Sequence, residues 1–158
     1  MKIKKTVSDL GVAAYMLMHG YTVTAKRNRE IEFELDDQEQ CEEFDKLLLE
    51  YQPPNEYYTF DSCLMFLKKI DISVSEQIEK DALQVVTDLG VAAYMLMQEY
   101  KPNSLGLRVV GKKGKCVYFY CNPDKVDQFQ QLSLAYLTSP YQTYDSGLMG
   151  LKKLPTSK

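Results

Sequence analysis

An internal repeat of ten identical residues is the feature that most constrains the fold of this chain. The segment Asp9–Met18, with the sequence DLGVAAYMLM, recurs letter for letter at Asp88–Met97. A second pair, FDSCLMFLKKI at Phe60–Ile70 and YDSGLMGLKKL at Tyr144–Leu154, follows in the same order. Self-similarity in a fixed order indicates a tandem duplication, here of one unit of about 65–70 residues.

The pattern within each repeat predicts a strand, a helix, a β-hairpin and two further helices. Apolar and charged residues alternate strictly over Ile31–Leu35, which is typical of a strand with one buried face. Ser8 and Thr87 are predicted to cap the repeated helices, with Asp9 and Asp88 in the first turn. The closing helices are predicted to begin near Asp61 and Asp145. We therefore expect an α+β fold made by tandem duplication of a β-α-β-β-α-α unit, with antiparallel sheets, helices packed on one face and a pseudo-two-fold arrangement.

The repeats set the expected domain boundaries and divide the charge unevenly. Residues 1–70 form the acidic repeat, 71–82 the linker and 83–158 the basic repeat, and a linker helix is predicted over Ser75–Leu83. The net charge is −7 from Thr6 to Ile70 and +3 from Val86 to Leu154, although the whole chain carries only −3. Two interpretations stay open: surface drift with mild attraction between the halves, or specialisation of the basic repeat for an anionic partner.

The sequence argues against export of the chain and against disulfide formation by its cysteines. A basic start followed by the apolar run Leu10–Met18 imitates a signal peptide, but the same run recurs internally and is too short to span a bilayer. We expect a cytoplasmic protein that does not engage a membrane. The cysteines lack metal-ligand spacing and are expected to be reduced, apolar side chains rather than disulfide or metal partners: Cys41, Cys63, Cys116 and Cys121.

Reactive groups are too sparse to favour an enzyme. His19 is the only histidine, and no phosphate-binding, dinucleotide-binding or zinc motif occurs, so we expect no catalysis and no cofactor or metal. The first hairpin presents a candidate acidic surface: Glu30, Glu32, Glu34, Asp36 and Asp37. Such a row could bind a hard cation. Lys26, Arg27 and Arg29 across the turn favour cross-strand ion pairs instead.

The second hairpin presents a candidate partner or nucleic-acid surface. It combines a basic tip with tyrosines at alternate strand positions, and its members are Arg108, Lys112, Lys113, Lys115, Tyr118 and Tyr120. Aromatic side chains among cations are how sheet surfaces stack single-stranded bases. Tyrosine is equally enriched in protein interfaces, and the same rings could also be buried between the repeats.

Taken together, these motifs resemble a known family. The pattern D-L-x-x-A-A-Y-x-L, then IEFEL at Ile31–Leu35, Tyr51 and a closing L-K-K-I is similar to a small domain family of unknown function found in phages and some bacteria. The resemblance covers nearly the whole chain, once per repeat, and implies a phage setting and a compact α+β unit, without catalytic residues. Glu99 departs from the pattern, because Gly20 stands at the matching place.

The function expected from the sequence is binding. The leading hypothesis is a phage-type accessory protein in the host cytoplasm that engages a host or phage protein partner through the surfaces on which its repeats differ. The alternatives are single-stranded nucleic-acid binding through the second hairpin, and a role as a virion or other structural component.

Overall fold

Two three-stranded antiparallel sheets, each accompanied by helices, make up the computed structural model, which describes residues 2–73 and 78–156. The first half contains Ile3–Val7 (β1), Leu10–Met18 (α1), Thr22–Arg27 (β2), Glu30–Leu35 (β3), Gln38–Glu50 (α2) and Glu56–Lys69 (α3). The second half contains Leu83–Val86 (β4), Leu89–Gln98 (α4), Arg108–Lys113 (β5), Cys116–Tyr120 (β6), Val126–Ala135 (α5) and Pro140–Lys153 (α6). The predicted α+β class is confirmed.

The second strand of each hairpin lies at the centre of its sheet. The strand orders are β1-β3-β2 and β4-β6-β5, and all neighbours are antiparallel. Ile31, Phe33 and Leu35 are fully buried, as are Val117 and Phe119 on β6. The alternation in the sequence therefore identifies correctly which face of each central strand points into the core.

The repeated helices begin one residue later than the sequence patterns suggested. Asp9 and Asp88 are the N-caps, and each carboxylate accepts a hydrogen bond of 2.7 Å from the amide two residues on, at Gly11 and Gly90. The predicted Ser8 and Thr87 caps are therefore wrong. Like a hydroxyl, a carboxylate accepts hydrogen bonds from the backbone amides of the first turn, which have no partner within the helix. It also interacts favourably with the positive end of the helix dipole.

The closing helices begin well before Asp61 and Asp145, where the sequence placed them. In α3 the Asn55 side chain accepts from the amides of Tyr57 and Tyr58, and α6 opens with Pro140, a residue suited to a first helical turn. Other predicted bounds shift as well: β5 extends to Lys113, and α5 is shorter than expected because 3₁₀ turns flank it. Of the linker helix predicted over Ser75–Leu83, the described part forms only a 3₁₀ turn at Lys80–Ala82, and Leu83 begins β4. Residues 75–77 of that prediction lie outside the described residues.

The chain divides into two compact units whose boundaries differ from the boundaries of the repeats. The first unit comprises Met1–Tyr58 and Thr143–Lys158, and the second unit comprises Thr59–Gln142. Nearly all of α6 therefore belongs to the first unit, and nearly all of α3 belongs to the second. Each unit takes its closing helix from the other repeat.

In the first unit, α6 is held by a buried tyrosine and by a lysine at its end. The Tyr144 hydroxyl donates to the Gly11 carbonyl at 3.1 Å and forms a second hydrogen bond with the Tyr51 hydroxyl. At the other end of α6, the Lys26 Nζ donates to the Leu151 carbonyl at 2.9 Å and also contacts the Lys152 and Leu154 carbonyls. A cation suits the carbonyl-rich end of a helix.

In the second unit, α3 is held at the equivalent points. The Phe60 ring stacks on the rings of Tyr136 and Tyr141 at centroid distances of 6.3 and 5.7 Å. At the end of α3, the Lys112 Nζ donates to the Lys68 carbonyl at 3.1 Å. Because Phe60 stands where the repeat alignment places Tyr144, the second unit lacks the hydroxyl bridge but keeps the aromatic packing.

Candidate interaction surface on the second sheet

The outer face of the second sheet carries a cluster of large side chains that we call the tyrosine face. Its members come from all three strands: Leu83, Val85, Arg108, Tyr118 and Tyr120. Leu83 and Arg108 both lie opposite Tyr120 in the register, and Val85 lies opposite Tyr118. Directly opposed residues of antiparallel strands share a face, so the five side chains lie side by side.

The tyrosine face is both accessible and locally ordered. Tyr118 and Tyr120 are half-buried, and Val85 beside Tyr118 is 48 % exposed. The Arg108 guanidinium carbon lies 4.6 Å from the centroid of the Tyr120 ring, a cation–π arrangement. The face therefore presents a fixed, partly apolar platform with one cation on it.

The remaining residues predicted for this surface are divided among different places. Lys112 lies opposite Val117, an inward position, and its side chain is engaged at the end of α3. Lys113 lies opposite Cys116 on the outer side, and Lys115 stands in the turn after Gly114, which has a positive φ of 62°. The structure thus brings Arg108, Tyr118 and Tyr120 together and separates Lys112 from them.

The equivalent face of the first sheet carries charged side chains that pair with one another. Glu32 stands where the second repeat has Tyr118, and it is only 8 % exposed. Its carboxylate accepts from the Thr24 hydroxyl at 2.8 Å and from Arg27 at 3.1 Å, and Lys4 lies 3.8 Å away. The Thr24 and Arg27 hydrogen bonds hold the pKa of Glu32 below its ordinary value. Of the cations predicted to pair across the strands, Arg27 does so, whereas Lys26 instead contacts carbonyls at the end of α6.

The other residues of the predicted acidic surface have separate roles. Asp37 caps α2 by accepting from the Gln40 amide at 2.9 Å. Asp36 pairs with Lys2, and that ion pair lowers the pKa of the Asp36 carboxyl. Glu30 is exposed and lies opposite Arg27, while Glu34 is half-buried. Among the described residues, no group of three histidine, cysteine or acidic side chains is placed to hold a metal ion.

A polar cleft in the first unit was not anticipated from the sequence. It has a volume of about 280 Å³ and mixes both charges in its lining, which consists of Lys2, His19, Gly20, Tyr21, Thr22, Glu34, Asp36, Gln40 and Glu43. His19 lies at the end of α1 with Nδ1 2.8 Å from the Tyr15 carbonyl. Because a carbonyl only accepts, Nδ1 carries the proton in that contact. These residues come from three separate segments, at Lys2, at 19–22 and at 34–43, so no local motif indicates the cleft.

All four cysteines are free thiols. Cys41, Cys63 and Cys121 are buried, and burial raises the pKa of the Cys63 thiol to about 11. Burial also raises the pKa of Cys121. Such thiols stay protonated at neutral pH and behave as small apolar side chains.

Two members of the tyrosine face, Leu83 and Val85, were missed by the sequence analysis. They alternate with Gln84 and Val86 on β4, so period-two alternation was an available signal, but only the register with β6 shows which face each occupies.

No helix among the described residues is long and apolar enough to cross a membrane. No family model matches this chain, and no curated protein or solved structure matches it either.

Proposed function

We propose that this chain is a non-catalytic accessory protein that binds a protein partner through the tyrosine face of its second unit. The observation that carries the proposal is the divergence of two equivalent sheet faces. In the first unit, Glu32 is saturated by Thr24, Arg27 and Lys4, whereas in the second unit the matching position holds the half-buried Tyr118. The resemblance to a phage domain family suggests a host or phage protein as the partner.

The composition of the tyrosine face supports binding to protein. Tyrosine and arginine are enriched among the residues that contribute most to interface energies. A fully covered tyrosine hides about 150–250 Å², of which a partner would bury the part that the half-buried Tyr118 and Tyr120 still expose, and the two side-chain torsions of tyrosine cost little entropy on binding. Tyr118 and Tyr120 both stand on the central strand β6, which fixes the backbone beneath their rings.

Single-stranded nucleic acid is the second candidate, favoured by Arg108 and Tyr120 on one face and by exposed lysines at the tip. Three observations make it the weaker one. Arg108 already occupies one side of the Tyr120 ring, and Lys112 is engaged at the end of α3. The second unit also carries equal numbers of basic and acidic residues, nine of each, so its net charge is zero.

The test combines affinity capture with matched variants of the two sheets. The double variant Tyr118→Ala, Tyr120→Ala removes the rings of the tyrosine face. The control Thr6→Ala, Thr22→Ala changes the equivalent exposed face of the first sheet. We expect a protein captured from phage-infected lysate by the parent chain to be retained by the control, and to bind the tyrosine variant at least about tenfold more weakly in titration of the purified pair.

Equal binding by both variants would reject the tyrosine face as the interface. The nucleic-acid alternative is measured in parallel with labelled oligothymidine by fluorescence anisotropy. It predicts tight binding that weakens with salt by about 0.7 in log K per phosphate contact for each decade of salt. Such binding, lost in the tyrosine variant, would replace the protein-partner proposal with the nucleic-acid one.

A further inference from the structure

The second sheet ends at β4 in a strand edge that no further strand among the described residues covers. The strand order β4-β6-β5 puts β4 at one side of the sheet, where it pairs with β6. At the other side, the Lys112 amide of β5 donates to the Ile72 carbonyl at 2.8 Å, so part of that edge is already in use. The backbone of β4 is therefore the place where the second sheet can accept another strand.

The hydrogen bonds around β4 show which of its backbone groups point away from the sheet. Immediately before β4, the Cys121 amide donates to the Ala82 carbonyl at 2.8 Å. Because hydrogen-bonded and non-hydrogen-bonded pairs alternate along antiparallel strands, the backbone groups of Leu83 and Val85 point away from β6. The Leu83 amide is already used, since it donates to the Lys80 carbonyl. The edge thus offers three groups to another strand: the Val85 amide, the Val85 carbonyl and the Leu83 carbonyl.

The side chains beside this edge belong to the tyrosine face. Val85 is 48 % exposed, and Leu83 is half-buried. A residue that pairs with Val85 on a docking strand lies directly opposite it, so its side chain also lies on the tyrosine face. The neighbouring residues of that strand point to the other face, where Gln84 is half-buried. A strand in which apolar and polar residues alternate therefore matches both faces of the edge.

The equivalent edge of the first sheet carries lysines instead. In the repeat alignment, Lys4 and Thr6 of β1 stand where β4 has Leu83 and Val85. The Lys4 side chain is 62 % exposed, and Lys2 precedes it by two residues. Lysines on an edge strand oppose pairing with another strand, because covering their charges is costly. The same position in the fold is protected in the first unit and accessible in the second.

We propose that β4 accepts an extended segment of the protein partner as a fourth strand of the second sheet, with apolar side chains at alternate positions. Main-chain hydrogen bonds to Val85 and Leu83 hold the segment, and its apolar side chains pack beside Val85 and Tyr118. This docking mode rests on the proposed function, because the tyrosine face is the interface there, and it adds the chemistry of the segment that binds.

A second copy of this chain is the competing occupant of the edge. Pairing of β4 with its counterpart would lay the two second sheets side by side in one layer, so Tyr118 and Tyr120 of both copies would stay uncovered. The four residues of β4 span only about 13 Å, which is too short to build a stable dimer interface of about 1,200 Å² without those rings. A partner that supplies a strand and also covers the face buries the edge and the rings together.

Amide hydrogen exchange followed by nuclear magnetic resonance tests the edge in the intact chain. In the free chain, we expect the Val85 amide to exchange much faster than the amides of Gln84 and Val86, which are bonded to β6. Ligands are then selected from a displayed library of random peptides. Enriched peptides should alternate apolar and polar residues, and they should slow the exchange of the Val85 amide when bound.

Matched proline substitutions separate the backbone of the edge from its side chains. Val85→Pro removes an amide that faces away from the sheet, where an edge strand tolerates proline, and Thr6→Pro is the same change on β1. We expect Val85→Pro to weaken binding of the selected peptides at least about tenfold and Thr6→Pro to leave it unchanged. With the parent chain, N-methylation along the peptide should weaken binding at alternate residues only, because alternate amides face β4.

Three outcomes would overturn the proposal. The first is a Val85 amide that is already protected in the free chain or that no selected peptide protects. The second is N-methylation whose effects do not alternate along the peptide. The third is a monomer–dimer equilibrium in analytical ultracentrifugation that Val85→Pro abolishes, since it would assign the edge to a second copy.

The tyrosine variant distinguishes failure of this docking mode from failure of the proposed function. Peptide binding that is lost in the tyrosine variant but kept in Val85→Pro would retain the tyrosine face as the interface and reject the added strand. Binding that is lost in Val85→Pro but kept in the tyrosine variant would retain the added strand and reject the tyrosine face.

Discussion

At the scale of single residues, the outer faces of the two sheets show how one fold position can serve two purposes. Glu32 gains three partners on its own sheet and becomes nearly inaccessible. Tyr118, at the matching position, keeps an accessible ring beside Val85. Glu32 therefore contributes to the stability of its own unit, whereas Tyr118 leaves surface available for another molecule.

The lowered pKa of Glu32 makes a pH-dependent contribution to stability. Its folded-state pKa lies below the ordinary value of 4.5 because of the Thr24 and Arg27 hydrogen bonds. The contribution is therefore fully present above that ordinary value and is lost as pH falls through the folded-state pKa. In Glu32→Gln we expect a lower melting temperature than in the parent at neutral pH, with the difference shrinking as pH falls below the ordinary value. The measurement is thermal unfolding by circular dichroism across that range.

The exposed Gln128→Ala substitution on α5, which removes no ionisable group, is the control, and its difference from the parent should not depend on pH. A difference in melting temperature between the parent and Glu32→Gln that stays constant from neutral to acid pH would contradict the pairing of Glu32 with Thr24 and Arg27.

At the scale of elements, the same lysine position secures the end of each closing helix. Lys26 lies at the carbonyl end of α6 and Lys112 at the carbonyl end of α3. Lys26→Met keeps the apolar stem and removes the cation. We expect this substitution to lower the free energy of unfolding by about 1 kcal/mol, which lowers the melting temperature by about 2–4 °C in a chain of 158 residues. Lys46→Met on the exposed side of α2 should change neither value, and an equal loss in both variants would show that Lys26 has no special role.

Element types were predictable from the sequence, but helix ends were less so. Alternation over Ile31–Leu35 located the central strand and its buried face correctly. The closing helices begin earlier than predicted, at Glu56 and Pro140, because Asn55 supplies a cap and proline fits the first turn. Both signals are present in the sequence, but they compete there with the Asp-Ser pairs that follow. The cleft and the register of β4 depend on contacts distant in the sequence, which local patterns do not contain.

At the scale of the whole molecule, each compact unit combines parts of both repeats. Counted over Met1–Tyr58 with Thr143–Lys158, the first unit has a net charge of −3, and the second unit is neutral. The contrast between −7 and +3 along the repeats is therefore much weaker in the folded units. The pseudo-two-fold arrangement stays a prediction.

The exchange of closing helices could not be predicted from local patterns. Leu64 and Leu67 of α3 match Leu148 and Leu151 of α6, and all four side chains are buried. Because the two helices present the same apolar side chains, the pattern suits either unit equally well. The choice depends on long-range packing, including the contacts of Phe60 and Tyr144.

Proximity between aromatic rings in solution tests this exchange most directly. With tyrosine and phenylalanine selectively labelled, nuclear Overhauser contacts are measured in the intact chain. We expect contacts between the Phe60 and Tyr136 rings, whose centroids lie 6.3 Å apart, and between the Tyr144 and Tyr51 rings, whose hydroxyls are hydrogen-bonded. Contacts of Phe60 with Tyr51 and of Tyr144 with Tyr136, with neither expected pair present, would show that each repeat keeps its own closing helix and would contradict the account.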